Sequence, residues 1–182
     1  MIKYIEGVKR IPKIEIIAGK KCTKTIHKEL GCKFYIDVAD LMWSKGNKEE
    51  KKRLLEQVSP GEVIVDMFSG LGYFSIIVAK KAKKVYAIDI NPKAVEYLRK
   101  NTFLNKVEGR IEILQGDCRD FSDMLENTAD RIIMGHLYET EKFLPYALKI
   151  AKKGCIIHFH RIIKDGEKMM RFMQQEKIQP FY

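Results

Sequence analysis

A chain of 182 residues with 46% hydrophobic content has room for one ordinary domain plus a small appendage, with a real core. Its 34 Lys and Arg against 24 Asp and Glu leave a net charge of +10 and a pI of 9.4, which points to a nucleic-acid partner, although Lys-, Ile- and Glu-rich chains are also typical of heat-loving organisms. No apolar run approaches membrane-spanning length and the N-terminus lacks the h-region of a signal peptide, so the expectation is a soluble, cytoplasmic protein without a membrane partner.

From the N-terminus, residues 14–38 alternate as strands do, with Gly19 and Gly31 at the turns, and predict a small β unit. Asn47 is placed to cap a helix over 48–57 that stops at Ser59-Pro60-Gly61. The Pro-Gly pair divides an N-terminal β-rich region with its linking helix, 1–58, from a domain over 59–182. There the pattern alternates: strand 62–66, helix 72–82, strand 84–89, helix 92–104, strand 110–115, a short helix near 121–127, strand 130–136, helix 141–152, strand 155–162 and a helix near 165–177. Such alternation specifies an α/β fold, a parallel sheet covered by helices on both faces, with ligands at the carboxyl ends of the strands. Sheets of this class usually finish with an antiparallel pair; here those C-terminal strands read as truncated. Strand 155–162 is then an exposed edge, inviting self-association.

Val63–Asp66 is an apolar strand that runs into Gly70 and Gly72, glycines that let backbone approach a ligand. Val85–Asp89 is a second such strand, and Asp89 lies 17 positions past Gly72, close to the ~20-residue offset at which a carboxylate meets ribose hydroxyls. The third glycine of a dinucleotide fingerprint is replaced by Ser75, which suits a nucleoside ligand without a diphosphate, such as S-adenosylmethionine. Asn91-Pro92 supplies a cap and first-turn proline for the next helix, leaving Asp89 for a ligand.

Asp117 follows the third strand at the same rim, where it either accepts from the amino group of adenine or caps a helix, a task Asp120 and Ser122 also suit. His158 and His160 share one side of a strand, but no spacing supplies a third metal ligand, and they read as strand-end histidines near a cleft. Cys22, Cys32, Cys118 and Cys155 form no C-x-x-C pair and read as reduced thiols. His136 and Tyr138 follow strand four, where this architecture often places catalytic groups. Enzymes that methylate exocyclic amines carry an Asn-Pro-Pro-Tyr type motif there; this chain has Met134-Gly-His-Leu-Tyr138 instead. Nucleophile elbow, P-loop and zinc signatures are absent.

Asp66–Ser75, Asp89-Ile-Asn-Pro92, Asn105–Glu108, Asp117–Asp120, Ala129–Met134 and Ile157–His160 together resemble the archaeal tRNA guanosine-37 modification family, over about Thr23 to Arg161. One branch of that family methylates N1 of guanosine 37. The other, in wybutosine-derivative biosynthesis, moves the 3-amino-3-carboxypropyl group of S-adenosylmethionine onto the tricyclic base of tRNA(Phe). Where the first branch carries Phe-Ser-Pro-Arg and Asn-Leu-Pro, this chain has Trp43–Asn47 and Met134–Thr140, which resemble the second.

The resemblance implies a Rossmann-like class I catalytic domain that binds S-adenosylmethionine and acts on a tRNA anticodon loop, without a metal. By the same likeness Ser44 and Lys51 contact the methionyl end, Asp89 the ribose, and Asp117 with Cys118 the adenine, while Phe68, Gly70 and Ile90 complete the cofactor site. Lys51 replaces the branch's usual arginine, exchanging a bidentate fork for a point charge, and Cys118 replaces a polar residue. His136 and Glu139 are the candidates for a general base. The alternatives are the N1-methyltransferase branch and an RNA-binding module that has lost catalysis.

Overall fold

The computed structural model describes residues 2–7, 11–15, 17–18, 22–43 and 47–161. Five strands form a wholly parallel sheet: β5 (Val63–Asp66), β6 (Lys84–Asp89), β7 (Ile111–Gln115), β8 (Ala129–Met134) and β9 (Ala151–Phe159), in the order β7-β6-β5-β8-β9. The chain steps outward from β5 through β6 to β7, then crosses to the other side of β5 for β8 and β9, and this switch between β5 and β8 opens a crevice at the strands' carboxyl ends. The strands are short apolar runs because both faces are covered: Ile64, Val65, Val85, Ala87, Ile132 and Ile133 are all fully buried. β9 is the outer strand among the described residues.

One face packs on α1 (Lys48–Gln57), α2 (Ser75–Val78) and α3 (Pro92–Leu104), the other on α4 (Leu144–Ile150). α3 matches its predicted bounds, and Asn91 caps it by accepting the Lys93 N–H at 2.9 Å. The expected helix 72–82 keeps only Ser75–Val78 as regular α-helix, because three-residue bonds such as Lys80 N–H to Ile77 O interrupt its ladder. Similarly, the helix predicted over 141–152 is a 3₁₀ turn, Thr140–Phe143, followed by the seven residues of α4. A second 3₁₀ turn, Cys118–Phe121, precedes its expected position near 121–127. The helix expected near 165–177 lies outside the described residues. No helix among the described residues is long and apolar enough to cross a membrane.

Ahead of the sheet stand two antiparallel pairs: β1 (Ile2–Glu6) with β2 (Ile11–Ile14), and β3 (Lys24–Glu29) with β4 (Cys32–Asp37). β1 and most of β2 lie ahead of the β unit expected over 14–38, and of its first stretch only Ile14 is strand among the described residues. Cys32, Phe34 and Ile36 point from one side of β4 into the cluster that also holds Leu54, Ile77 and Leu98, so both sides of Ser59-Pro60-Gly61 build one core. Asn101 of α3 and Asn105, its C-cap, complete the docking. Asn105 accepts the Lys33 N–H (2.8 Å) and donates to the Lys33 carbonyl (2.6 Å); Asn101 does the same for Tyr35 (2.7 and 3.3 Å). Four helical residues rise about 6 Å and two strand residues about 6.6 Å, so the carboxamides stand in register as a neighbouring strand would.

Candidate functional site

The crevice holds a cavity lined by the loops after β5, β6, β7 and β8 and by Leu41, Met42 and Asn47 from the N-terminal region. Of the residues expected to hold a cofactor, Phe68, Gly70, Asp89, Ile90, Asp117 and Cys118 all line it, and His136 joins them. Ser44 lies outside the described residues. Lys51 is not part of the wall. Its buried ammonium lies 3.2 Å from Glu29 Oε1, 4.8 Å from the centre of the Trp43 ring and 5.7 Å from that of Tyr73, whose ring does line the cavity. Glu139 is exposed in a left-handed conformation and ion-paired with Lys142, outside the wall. Its carboxyl is held below the usual range by the hydrogen bond from Lys142, which makes it a weak base.

Asp89 is less free than its sequence context suggests. Oδ2 accepts the Gly70 N–H at 2.7 Å and Oδ1 the Asn91 N–H at 2.8 Å. These bonds lock the carboxylate across the crevice and leave each oxygen further lone-pair capacity for a ligand hydroxyl. Burial nonetheless raises its pKa, against the pull of the two amides. Asp117 proves to be the cap itself, accepting the Arg119 N–H at 3.0 Å, and Arg119 also grips it through Nε (2.9 Å) and Nη2 (2.6 Å). The Arg119 bond, the largest influence, lowers the Asp117 pKa and keeps it an acceptor. Burial pushes the Cys118 thiol up to about 12, so it enters the site as a neutral wall with a backbone N–H.

The strand-end carboxylate of β5 takes another role. Asp66 is fully buried and does not line the cavity; it accepts from Ser75 Oγ at 2.6 Å and from the Phe68 N–H at 3.3 Å. Desolvation raises its pKa to about 7. Ser75, which replaces the third glycine, is therefore the partner that makes a buried acid tolerable. The glycines also answer to packing: at φ +57° a Cβ on Gly70 would fall 2.5 Å from the Tyr73 ring, and one on Gly72 2.5 Å from Ile76 and 2.8 Å from Leu98.

Some wall residues were not expected to hold the cofactor. Asn47 makes no capping bond and instead lines the cavity, while Phe143 reaches it from the 3₁₀ turn after β8. His158 and His160 lie elsewhere, in a polar cluster against α1. Arg131 donates to His158 Nε2 (2.8 Å), Glu62 (2.7 Å) and the Gln57 carbonyl (3.1 Å), and His160 Nε2 lies 3.3 Å from Glu50. Since a guanidinium only donates, His158 Nε2 accepts and the ring is neutral; burial first, then Arg131, lowers its pKa to about 4.

Residues 25–179 match the family model described as the TRM5/TYW2 methyltransferase domain. The chain is 48% identical over 168 residues to the tRNA(Phe) (4-demethylwyosine(37)-C(7)) aminocarboxypropyltransferase of Methanocaldococcus jannaschii, covering 91% of this chain and 65% of that protein. It is 39% identical over 172 residues to tRNA (guanine(37)-N(1))-methyltransferase Trm5b of the same organism, covering 94% of this chain and 50% of the relative. The crystal structure of M. jannaschii TYW2 in complex with AdoMet superposes with a TM-score of 0.78 at 41% identity, over 89% of this chain and 76% of that one. The chain thus spans about two thirds and half of the two curated relatives.

Proposed function

Because the chain belongs to the TRM5/TYW2 methyltransferase domain family, we propose that it transfers the 3-amino-3-carboxypropyl group of S-adenosylmethionine to the tricyclic modified guanosine at position 37, in the anticodon loop of tRNA(Phe). The observation that carries this is the gathering of Asp89, Asp117 and the loop Gly135–Leu137 around one cavity at the sheet's switch point. Identity of 48% to an aminocarboxypropyltransferase, against 39% to an N1-methyltransferase, supports the choice of branch.

The residues fit the cofactor. Asp89 accepts from the ribose hydroxyls with the lone pairs its two amide bonds leave, Asp117 accepts from the adenine amino group, the Cys118 N–H donates to the ring, and Phe68 and Ile90 enclose the nucleoside. Bound there, S-adenosylmethionine would supply a sulfonium whose limb methylene carbon could take a new C–C bond from the base carbon, with the C–S electron pair leaving on sulfur and the base carbon's proton lost to solvent. The protein's part is orientation, since aiming the amino-acid limb rather than the methyl at the base decides the product. Proximity of that kind is worth roughly 7–11 kcal/mol in intramolecular reactions. Lys51, one ring behind the wall, is placed to hold Tyr73 and Trp43 beside the methionyl end.

Incubating the protein and precursor tRNA in parallel with carboxypropyl-labelled and methyl-labelled cofactor tests the proposal. Carboxypropyl label in the RNA is the expected result; methyl label would assign the N1-methyltransferase branch, and neither label an RNA-binding role. We also propose that the outer edge of β9 pairs with a second copy, which light scattering over a concentration series would show as a rising mass; a constant monomer would refute it.

A further inference from the structure

The loop that departs from the amine-binding motif has a physical character of its own. His136 and Leu137 line the cavity, and Leu137 and Tyr138 are consecutive exposed apolar residues at its mouth, 42% and 56% accessible. Behind them stands a cluster of rings. Phe68 lies nearly parallel to His136, with centroids 5.1 Å apart and planes 25° from each other. Phe143 meets Phe68 edge-on at 4.9 Å and His136 at 6.3 Å, and Tyr138 meets His136 at 6.4 Å. The guanidinium of Arg119 lies 5.3 Å over the Phe143 ring, joining this cluster to Asp117.

An exocyclic amine is oriented by acceptors that hold its N–H groups. A ring carbon offers no such hydrogen to an acceptor, so its direction must be set through the faces and edges of the ring that carries it. Aromatic side chains do this for nucleobases without reading their hydrogen-bonding edges. Accordingly we propose that His136, Leu137 and Tyr138, backed by Phe68 and Phe143, form the seat in which the flipped nucleobase stacks, and that His136 is a positioning residue there rather than the general base. The occupant is a planar base of the RNA, a choice that the +10 charge of the chain and the position of His136 and Leu137 in the cofactor cavity's wall support. This rests on the transferase reading for its substrate, though stacking can be measured without turnover.

The probe is an anticodon stem-loop with 2-aminopurine at position 37, whose emission rises when the base unstacks and is quenched when it stacks on an aromatic ring. Wild type and His136→Phe should bind the loop and quench the probe equally, whereas His136→Ala and Tyr138→Ala should leave the bound probe several-fold brighter. His136→Phe should also keep turnover within about threefold, with the loss in His136→Ala near tenfold. Equal quenching in all four proteins would overturn the seat. A His136→Phe variant that quenches fully yet is as inactive as His136→Ala would overturn the positioning role. Failure of the transferase reading shows separately, as wild type that moves no aminocarboxypropyl label.

Discussion

The carboxylates at the rim of the sheet and the ion-paired cluster against α1 are both built of charged side chains held by the protein's own bonds, and differ in what is left over once those bonds are counted. Asp89 and Asp117 are each fixed by backbone N–H groups, and both still face a cavity. Glu62, Arg131, His158 and Glu50 bond one another and the Gln57 carbonyl, and none of them lines that cavity. Partnered polarity with an open side makes a binding site; partnered polarity without one is a constraint on the fold. The two histidines, conspicuous in the sequence, belong to the second kind.

The largest effect should come from opening the closed cluster. Arg131→Met strips a partner from Glu62, His158 and Gln57 at once, and removing one side of a buried pair costs about 3–5 kcal/mol. Urea unfolding should show that loss with an unchanged slope, and a loss below about 1 kcal/mol, the range of a surface pair, would erase the contrast. Next is Asn101→Ala, which leaves the half-buried Tyr35 N–H and the buried Leu71 carbonyl without their side-chain partner. At about 1–3 kcal/mol for a buried group left unpaired, the expected loss is about 2–3 kcal/mol. Hydrogen exchange should show it first as lost protection in β4, and protection unchanged there would refute the docking role.

Between the clusters, pH offers a sharper comparison. The Asp66 carboxyl is raised to about 7, so its contribution is full below its unfolded value of 3.8 and is lost as pH rises through 7. His158 is depressed to about 4, so its contribution is full above 6.5 and is lost as pH falls through 4. The two slopes oppose between pH 5 and 6.5. Denaturation midpoints of wild type should therefore be nearly flat there, those of Asp66→Asn should rise with pH, and those of His158→Gln should fall; parallel curves for all three would contradict these assignments. The smallest effect belongs to Arg119→Gln. Its half-exposed pair with Asp117 is worth at most about 1 kcal/mol, or roughly fivefold in cofactor affinity by titration; no change would mean that Asp117 needs no clamp.

The parallel sheet was legible because its strands are apolar runs closed by acids and glycines, and Asn91-Pro92 marked α3 unambiguously. The rim carboxylates followed from position at strand ends. The rest depended on tertiary facts without a local signature. Nothing near Asp117 shows that Arg119 folds back on it, and although Asn47 belongs to the stretch that chose the branch, its local context marks it as a cap and not as a wall of the cavity. Asp66 also ends an apolar strand, as Asp89 does, and yet turned inward, because Ser75 nine residues later offers it a buried hydroxyl. Asn101 reads as an ordinary polar helix residue and Asn105 only as part of a family motif, although their spacing matches that of a strand edge packed 66 and 72 residues away.

The central claim is that Asp89 holds the sugar of the cofactor at the carboxyl rim. Methylthioadenosine, which carries that sugar and the adenine but not the amino-acid limb, should saturate the wild-type protein and raise its melting temperature with ligand concentration. Folded Asp89→Ala should give neither heat nor shift over the same range. An Asp89→Ala protein stabilised by this ligand as strongly as wild type would contradict the account.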